Sequence, residues 1–230
     1  MDNTFAEELD LYLEDGTIDE VLGSINEGKE AKVFLARTTS RLVAIKIFKD
    51  RLNRSFKNKS DYFQHKIPSH RREARAIKNR TSFGLKLEES MWHSREVYTL
   101  QLLHEAGASV PEVFHVKNCS FMMAYFGNEE TPAPRLSDMK RAINNPICIY
   151  NQIINNIKIF LDNNIVHGDL SPYNILYCKN DKIAIIDFPQ AVRLDANNNS
   201  ITFLRRDLEN INIFFSKLGI ENEFMLDDFI

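Results

Sequence analysis

The spacing of apolar residues predicts three long helices. Apolar side chains recur every three or four positions over residues 88–106, 146–163 and 202–218, which is the period of a helix with one buried face. Gly107 supplies a stop for the first helix, and the Asn residues between the apolar positions of the second are expected to face outward. Residues 1–22 form an acidic lead-in with a shorter amphipathic stretch, which we expect to be helical and packed on the surface.

Between these helices, runs of β-branched and aromatic residues predict strands. The strand-forming stretches are residues 31–36, 42–49, 110–113, 119–127, 175–177 and 183–186. This order of elements predicts an α+β fold with two lobes: an antiparallel sheet plus one helix in residues 23–127, and a small, mostly helical lobe in residues 128–230. A crevice between two such lobes is a natural site for a nucleotide.

One short loop carries the strongest chemical signal in the chain. Asp169 is followed five residues later by Asn174, and Asp187 ends an apolar strand thirteen residues further on. Phosphoryl transfer uses this arrangement, in which one carboxylate orients the attacking hydroxyl while the Asn and the second Asp hold divalent metal against the phosphates. The loop therefore predicts an ATP-dependent phosphotransferase.

A lysine in the predicted sheet fits this chemistry. Lys46 ends the tetrapeptide Val-Ala-Ile-Lys inside an apolar strand, where kinases carry the Lys that reaches the α- and β-phosphates. A buried Lys needs a partner, and Glu96 lies on or beside the inward face of the helix predicted over residues 88–106. We therefore predict a Lys46–Glu96 pair. The alternatives are a Lys on the wet face of an edge strand and a Glu on the surface of a rotated helix.

The stretch before these strands has the composition of a phosphate-binding turn. Gly28 is followed by Lys29 and Glu30, and alternating apolar residues begin near Val33. Backbone amides of such a loop can approach phosphate oxygens closely where Gly supplies conformational freedom. An ordinary hairpin has the same composition, so both interpretations stay open.

Charge is distributed unevenly along the chain. The stretch from Lys49 to Lys86 contains twelve Lys and Arg and three acidic residues, whereas the whole chain has a formal net charge of −3. Basic side chains with interleaved aromatic residues suit contact with nucleic-acid phosphates and unpaired bases. The segment 49–87 is thus a candidate surface for rRNA, ribosomal particles or another polyanion. The alternative is a solvated insertion, or a helix with a charged outer face.

Composition also bears on cellular location and on the size of the second lobe. No apolar run approaches the roughly 20 residues of a membrane span, and the acidic N-terminus is unlike a signal peptide. Three widely spaced Cys suit a reducing compartment. We therefore expect a cytoplasmic protein without membrane contact. Because 43 residues follow Asp187, we expect neither an activation segment nor peptide-docking helices after it.

Several motifs, in one order, resemble the RIO family of atypical serine/threonine protein kinases, in its compact single-domain form. The similarity covers roughly residues 20–219. The matching stretches are the phosphate loop 27–34, the lysine strand 44–48, part of helix C at 92–96, the post-hinge residues 126–127 and 131–134, the catalytic loop 167–174, the metal loop 186–192 and the final helix at 203–208.

The resemblance implies Mg²⁺–ATP binding, with Mn²⁺ as a substitute, and either serine autophosphorylation or ATP hydrolysis as a conformational switch. It also implies a role in small ribosomal subunit maturation, which many members have; the protein substrate stays open. By position, Asp169 is the catalytic acid/base, Asn174 and Asp187 bind metal, and Lys46 contacts phosphate. Asp187 is also a candidate phosphate acceptor. The adenine base is expected at main-chain groups near Met123, Ala124 and Phe126.

The sequence differs from the family pattern at two places, so two other functions stay open. The catalytic loop has Gly168 where many members have Ala, and the metal loop has Phe188 and Pro189 instead of two small residues. Small-molecule kinases of the aminoglycoside or choline phosphotransferase type share the catalytic-loop pattern, although the short second lobe argues against them. A third possibility is a non-catalytic scaffold for RNA or ribosome assembly that is gated by nucleotide.

Overall fold

The computed structural model describes residues 3–49, 95–139, 142–195, 199–220 and 224–228. The basic segment 49–87, apart from Lys49, lies outside the described residues, and so does the first part of the helix predicted over 88–106. The RNA-contact hypothesis therefore stays a prediction.

The N-terminal lobe is an antiparallel sheet with helices on both faces. Its elements are α1 (Asn3–Glu14), β1 (Glu20–Glu27), β2 (Ala31–Arg37), β3 (Leu42–Phe48), α2 (the described helical residues 95–105), β4 (Val113–Val116) and β5 (Ser120–Ala124). The strands lie in the order β1-β2-β3-β5-β4. The predicted antiparallel sheet with one helix between its strands is confirmed.

Register determines which face of the sheet each β3 side chain occupies. Lys46 pairs with Val33 on one side and with Phe121 on the other. Because side chains alternate along a strand, Ile45 and Ile47 lie on the opposite face, where they are fully buried in a cluster with α1. Lys46 is thereby turned toward α2 and the second lobe.

Helix α1 is part of this lobe. The sequence suggested a lead-in packed on the surface, but Phe5, Leu9 and Tyr12 belong to the same buried cluster as the sheet residues. Glu8 is also buried, because its Oε1 accepts hydrogen bonds from the Ser120 hydroxyl at 2.7 Å and from a main-chain amide of the adjoining turn at 3.1 Å. A carboxylate satisfied in this way can face a core, so the acidic composition of the segment was misleading.

The C-terminal lobe is built on two long helices. Its elements are α3 (Pro146–Asp162), β6 (Ile165–Val166), β7 (Ile175–Cys178), β8 (Lys182–Ile185), β9 (Val192–Arg193) and α4 (Ser200–Ser216), with 3-10 turns at Leu136–Met139, Pro172–Asn174, Lys179–Asp181 and Leu226–Asp228. Strand β7 pairs with β8, and β6 with β9, each antiparallel. Between Asp187 and α4 the described residues form β9 and turns, with no docking helix.

One Asn of α3 contradicts the expected outward orientation. Asn156 is buried: its Oδ1 accepts from the Ser109 main-chain N–H at 2.6 Å, and its Nδ2 donates to the Gln152 carbonyl at 2.8 Å. An amide that satisfies donor and acceptor in this way loses little by burial. Asn156 thereby holds the segment that follows α2 against α3.

A single hydrophobic cluster joins the two lobes. Residues from the sheet and from α2, such as Phe121 and Leu100, share it with residues of α3 and α4, such as Ile153 and Ile211. The crevice between the lobes therefore sits above a common core. Across the described residues, no helix is both long and apolar enough to cross a membrane.

Candidate active site

The predicted pair between sheet and helix is present. Lys46 Nζ lies 2.6 Å from Glu96 Oε1, with 12% of the Lys46 side chain and 3% of the Glu96 side chain exposed. The same ammonium lies 3.3 Å from Asp187 Oδ1. Lys46 thus joins the sheet, α2 and the loop after β8.

The charge on Lys46 depends on its two carboxylate neighbours. Burial opposes the charge, but the attraction of Glu96 and of Asp187 outweighs it, so the pKa of Lys46 lies above its ordinary value. Lys46 is therefore a fixed positive charge at neutral pH. Such a group can neutralise the oxygens of a phosphate chain.

Asp187 lies at a strained position that is held in place by its neighbour. Its φ of +71° is in the left-handed region, which few residues other than Gly adopt. Phe188 is buried and packs against His167, with ring centroids 4.5 Å apart, and edge-on against Phe160 at 5.5 Å. The anchored ring fixes the backbone, while 49% of the Asp187 side chain stays exposed.

The catalytic-loop residues named from the sequence meet in one turn. Asn174 Nδ2 donates to the Asp169 carbonyl at 2.8 Å and lies 3.4 Å from Asp169 Oδ2. The Ile186 main-chain N–H donates to the Asn174 carbonyl at 2.9 Å. This bond ties the loop of Asp169 to the segment that carries Asp187, so the carboxylates and the carboxamide share one side of the crevice.

His167 supports this loop as a neutral ring. It is buried, with Nε2 3.2 Å from the Ile186 carbonyl oxygen, and its Nδ1 accepts from the Asp169 main-chain N–H at 3.3 Å. Burial lowers the pKa of His167 to about 4. The ring therefore fixes the backbone at Asp169 without adding charge at neutral pH.

Helix α4 holds the other side of the catalytic loop through residues to which the sequence assigned no role. Asp207 accepts from the main-chain N–H groups of Gly168 and Leu170, at 2.8 Å each. Arg206 donates to the Gly168 carbonyl, and Asn210 Nδ2 donates to the Leu170 carbonyl at 3.0 Å. The main-chain polar groups on both sides of Asp169 are thus bonded to one helix.

A signal for Asp207 exists in the sequence. The residue lies on the apolar stripe of α4, between the buried Leu204 and Ile211 and next to Leu208. A carboxylate there requires hydrogen-bond donors from elsewhere in the fold. Burial raises the pKa of Asp207 to about 7, against the lowering effect of the two main-chain N–H groups.

We expect Asp207→Asn to slow turnover by roughly 10- to 100-fold with little effect on ATP affinity, because an amide nitrogen would face one of two N–H donors. Stability should also lose part of its pH dependence. The folded carboxyl takes up its proton near pH 7 instead of 3.8, so in the wild type this group makes folding less favourable as pH rises from about 4 to about 7.

Steady-state kinetics and denaturant unfolding across this pH range measure both effects. Glu209→Gln, at an exposed position of the same helix, is the matched control. An unchanged kcat in Asp207→Asn would show that the Asp207 contacts to the catalytic loop are not needed for turnover.

Gly168 departs from the family pattern for a structural reason. Its φ is +80°, and a Cβ at this position would lie 2.6 Å from the Gln190 carbonyl oxygen. The metal loop, with its Phe188-Pro189 pair, therefore approaches the catalytic loop more closely than an Ala at 168 would allow. The two departures noted in the sequence occur where these loops meet.

The candidate phosphate turn is a tight hairpin between β1 and β2. The Gly28 main-chain N–H donates to the Ala31 carbonyl at 2.9 Å, while Lys29 and Glu30 are exposed at its tip. Gly28 does not lie in the left-handed region, so the conformational freedom invoked for it is not used. Glu27 instead organises the base of the hairpin, where its two oxygens bind Lys32 at 2.9 Å and Lys49 at 2.7 Å.

Of the residues named for adenine, Met123 and Ala124 end strand β5 and Phe126 follows it on the way to the second lobe. Met123 pairs with Ala44 in the sheet. The Ala124 N–H donates to the Glu112 carbonyl at 2.8 Å, and the Phe126 carbonyl accepts from the Ala133 N–H at 2.8 Å. These bonds use the Ala124 N–H and the Phe126 carbonyl, so a ligand at this end of the strand would bond to other main-chain groups.

The donor set near the loops suits a hard cation. With Asn174 Nδ2 bonded to the Asp169 carbonyl, Asn174 Oδ1 is left as an acceptor, and the Asp187 carboxylate is half exposed. Such oxygen ligands match Mg²⁺, which binds through one or two protein oxygens plus substrate phosphates. In the described part of the chain, no group of three or more His, Cys, Asp or Glu forms a site complete without phosphates.

A cavity lies elsewhere, on the sheet face that carries α1. It has a volume of about 430 Å³ and is bounded by the β2–β3 turn and by β4, including Arg41, Phe114 and His115. Neither Lys46 nor Asp187 lines it. This cavity is therefore separate from the candidate site.

Comparison with known proteins shows which family the chain resembles. The family model described as RIO domain matches residues 32–229. Serine/threonine-protein kinase RIO1 of Caenorhabditis elegans is 30% identical over 90% of the chain, and rio1 of Schizosaccharomyces pombe is 32% identical over 90%. A probable RIO1 homolog of Encephalitozoon cuniculi is 31% identical over 89%.

The chain spans 39%, 40% and 56% of the lengths of these three relatives, in that order. The match of the RIO domain model to most of this sequence, together with the two-lobed fold described above, identifies the chain as a member of the RIO family.

Proposed function

We propose that the chain is an ATP-dependent phosphotransferase that transfers the γ-phosphate of ATP to protein Ser or Thr residues, including its own. One observation carries the proposal. Lys46 is held between Glu96 and Asp187, at 2.6 and 3.3 Å, next to the loop that carries Asp169 and Asn174. The named kinases among its relatives support the same reaction class.

The nucleotide would enter between the lobes. We assign the adenine edge to the Ala124 carbonyl and the Phe126 N–H, because the Ala124 N–H and the Phe126 carbonyl already bond to main-chain groups. Val33 and Met123 would pack on the base. In the turn that begins at Gly28, the Gly28 N–H is already bonded to the Ala31 carbonyl. The amides of Lys29 and Glu30 and the ammonium of Lys46 would therefore contact the phosphates.

Asp169 would act on the acceptor. Its carboxylate takes the proton of the Ser or Thr hydroxyl as that oxygen bonds to the γ-phosphorus, and the bond from phosphorus to the bridging oxygen of ADP breaks. Asn174 and the α4 contacts hold Asp169 in the required orientation. ATP hydrolysis is the same step with water as the acceptor.

The metal would be held by Asn174 Oδ1 and the Asp187 carboxylate. When bound, Mg²⁺ or Mn²⁺ neutralises charge on the phosphate oxygens. Asp187 is also a candidate for transient phosphorylation, since its carboxylate is exposed beside Lys46. We extend the proposal to rRNA or ribosomal particles as partners of the basic segment 49–87, where steep salt dependence of binding is expected.

The purified chain with γ-labelled ATP and Mg²⁺ tests this function. We expect label on protein Ser or Thr and none on a panel of aminoglycosides and amino alcohols. Label that is released as phosphate alongside it would report ATP hydrolysis by the same step. Label that hydroxylamine removes would indicate an acyl phosphate and should be lost in Asp187→Asn. Stoichiometric label on a small molecule would instead favour the small-molecule kinase alternative.

A further inference from the structure

Tyr173 is an exposed aromatic residue within the catalytic loop. It lies directly before Asn174 and four residues after Asp169, and 61% of its surface is exposed. Scattered exposed aromatic residues are ordinary on protein surfaces, so exposure alone has no functional meaning. Its place between the proposed base and a proposed metal ligand distinguishes it.

The backbone around Tyr173 is fixed. Pro172 and Ile175 are buried on either side of the Tyr173–Asn174 pair. The Asn174 N–H donates to the Ser171 carbonyl at 2.9 Å, which closes the 3-10 turn. The position of Tyr173 is therefore imposed by a rigid loop and does not result from a loose segment.

A peptide acceptor would have to pass close to this residue. The acceptor hydroxyl must come within hydrogen-bond distance of the Asp169 carboxylate. Asn174 Nδ2 donates to the Asp169 main-chain carbonyl at 2.8 Å and lies 3.4 Å from the carboxylate oxygen Oδ2. An extended peptide advances about 3.3 Å per residue. Side chains one or two positions from the acceptor would thus reach a ring adjacent to Asn174.

The described part of the second lobe offers little else to hold a peptide. From Asp187 to α4 it contains β9 and turns, without the helices on which other kinases seat their substrates. The carboxylates of Asp169 and Asp187 and the ATP phosphates lie around the acceptor. The nearby cations are already engaged, Lys46 by Glu96 and Asp187 and Arg206 by the Gly168 carbonyl. An aromatic face in a negative environment attracts a cationic side chain.

We propose that Tyr173 determines acceptor specificity by receiving a Lys or Arg side chain located within two residues of the acceptor Ser or Thr. This inference rests on the proposed function. Tyr173 takes no part in proton or phosphoryl transfer; its ring supplies a face for the peptide.

Two twelve-residue peptides with one central Ser test this role, one with Arg and one with Glu at the two preceding positions. We expect the wild type to prefer the Arg peptide by about tenfold or more in kcat/KM, and Tyr173→Ala to reduce its kcat/KM on that peptide roughly 3- to 20-fold through the peptide KM. Tyr173→Phe should retain the preference, and Tyr173→Lys should shift it toward the Glu peptide. Tyr98→Ala, at a helix position with 63% exposure, is the matched control.

The outcomes separate this inference from the function on which it rests. If the wild type transfers no label from ATP to any protein or peptide, the proposed function fails. If transfer occurs but Tyr173→Ala and Tyr98→Ala give the same kcat/KM on the Arg peptide, Tyr173 is not a specificity residue. A change in the KM for ATP that equals the change for peptide would likewise overturn the inference, since it would indicate a general disturbance of the loop.

Discussion

Asp169→Asn should lower phosphotransfer by about 10²–10⁴-fold, the range that a well-placed general base contributes. The carboxamide keeps the shape of the side chain but cannot take the proton of the acceptor hydroxyl. Since Asn174 donates to the Asp169 main-chain carbonyl at 2.8 Å, the turn should survive the substitution. ATP affinity should change little, because Lys46 and the metal ligands are untouched.

A single-turnover assay measures the expected loss of phosphotransfer, and equilibrium nucleotide binding measures the expected unchanged ATP affinity. Asp162→Asn, an exposed carboxylate at the end of α3, controls for loss of charge. Equal transfer rates in wild type and Asp169→Asn would show that Asp169 is not the general base. Loss of nucleotide binding together with transfer would show instead that the substitution disrupts the site as a whole.

Lys46→Met should destabilise the fold by about 3–5 kcal/mol at neutral pH, because it leaves Glu96 as an unpaired buried carboxylate. Only 3% of the Glu96 side chain is exposed, and its Oε2 has no hydrogen-bond partner among the described residues. The double variant Lys46→Met/Glu96→Gln should recover much of this loss. Both variants should bind ATP weakly, since neither keeps the ammonium for the phosphates.

The pH dependence of Lys46→Met follows from the isolated carboxylate. Burial raises the pKa of Glu96 above its ordinary value in the wild type, against the lowering effect of Lys46. Removing Lys46 removes that lowering effect, so the folded variant binds a proton more readily still than the unfolded state. The stability of the variant should therefore increase as pH falls through that pKa, and this slope should be absent in the double variant. Lys49→Met, which breaks an exposed pair with Glu27, should change stability little. A single variant as stable as wild type would contradict the structural role of the pair.

The sequence predicted the pairing of Lys46 with Glu96 because two periodicities determine it. Alternation along β3 and the helical period of α2 bring Lys46 and Glu96 to facing surfaces, where each charge requires the other. The positions of Asp169 and Asn174 were readable because both lie on one short loop. In these cases local spacing determines the geometry.

The contacts that could not be predicted from the sequence are those between polar groups that the tertiary structure buries together. Asp207 faces the catalytic loop only because α4 packs beneath it, and Glu8 is buried only because a turn of the sheet presents donors to it. Asn156 is a third polar residue of this kind, since it was expected on the outer face of α3 and is buried in the structure. Hydrophobic periodicity treats every polar side chain as solvated, so it misses those that the tertiary structure pairs.

The central claim is that this chain moves the γ-phosphate of ATP to protein hydroxyls, with Asp169 as the base. The most direct measurement is a single turnover of γ-labelled ATP by wild type and Asp169→Asn, matched for bound nucleotide, followed by phosphoamino-acid analysis. The account predicts label in Ser or Thr of the wild-type reaction and at least 100-fold slower labelling in the variant. Equal labelling of the two proteins, or no transfer by wild type with Mg²⁺–ATP bound, would contradict it.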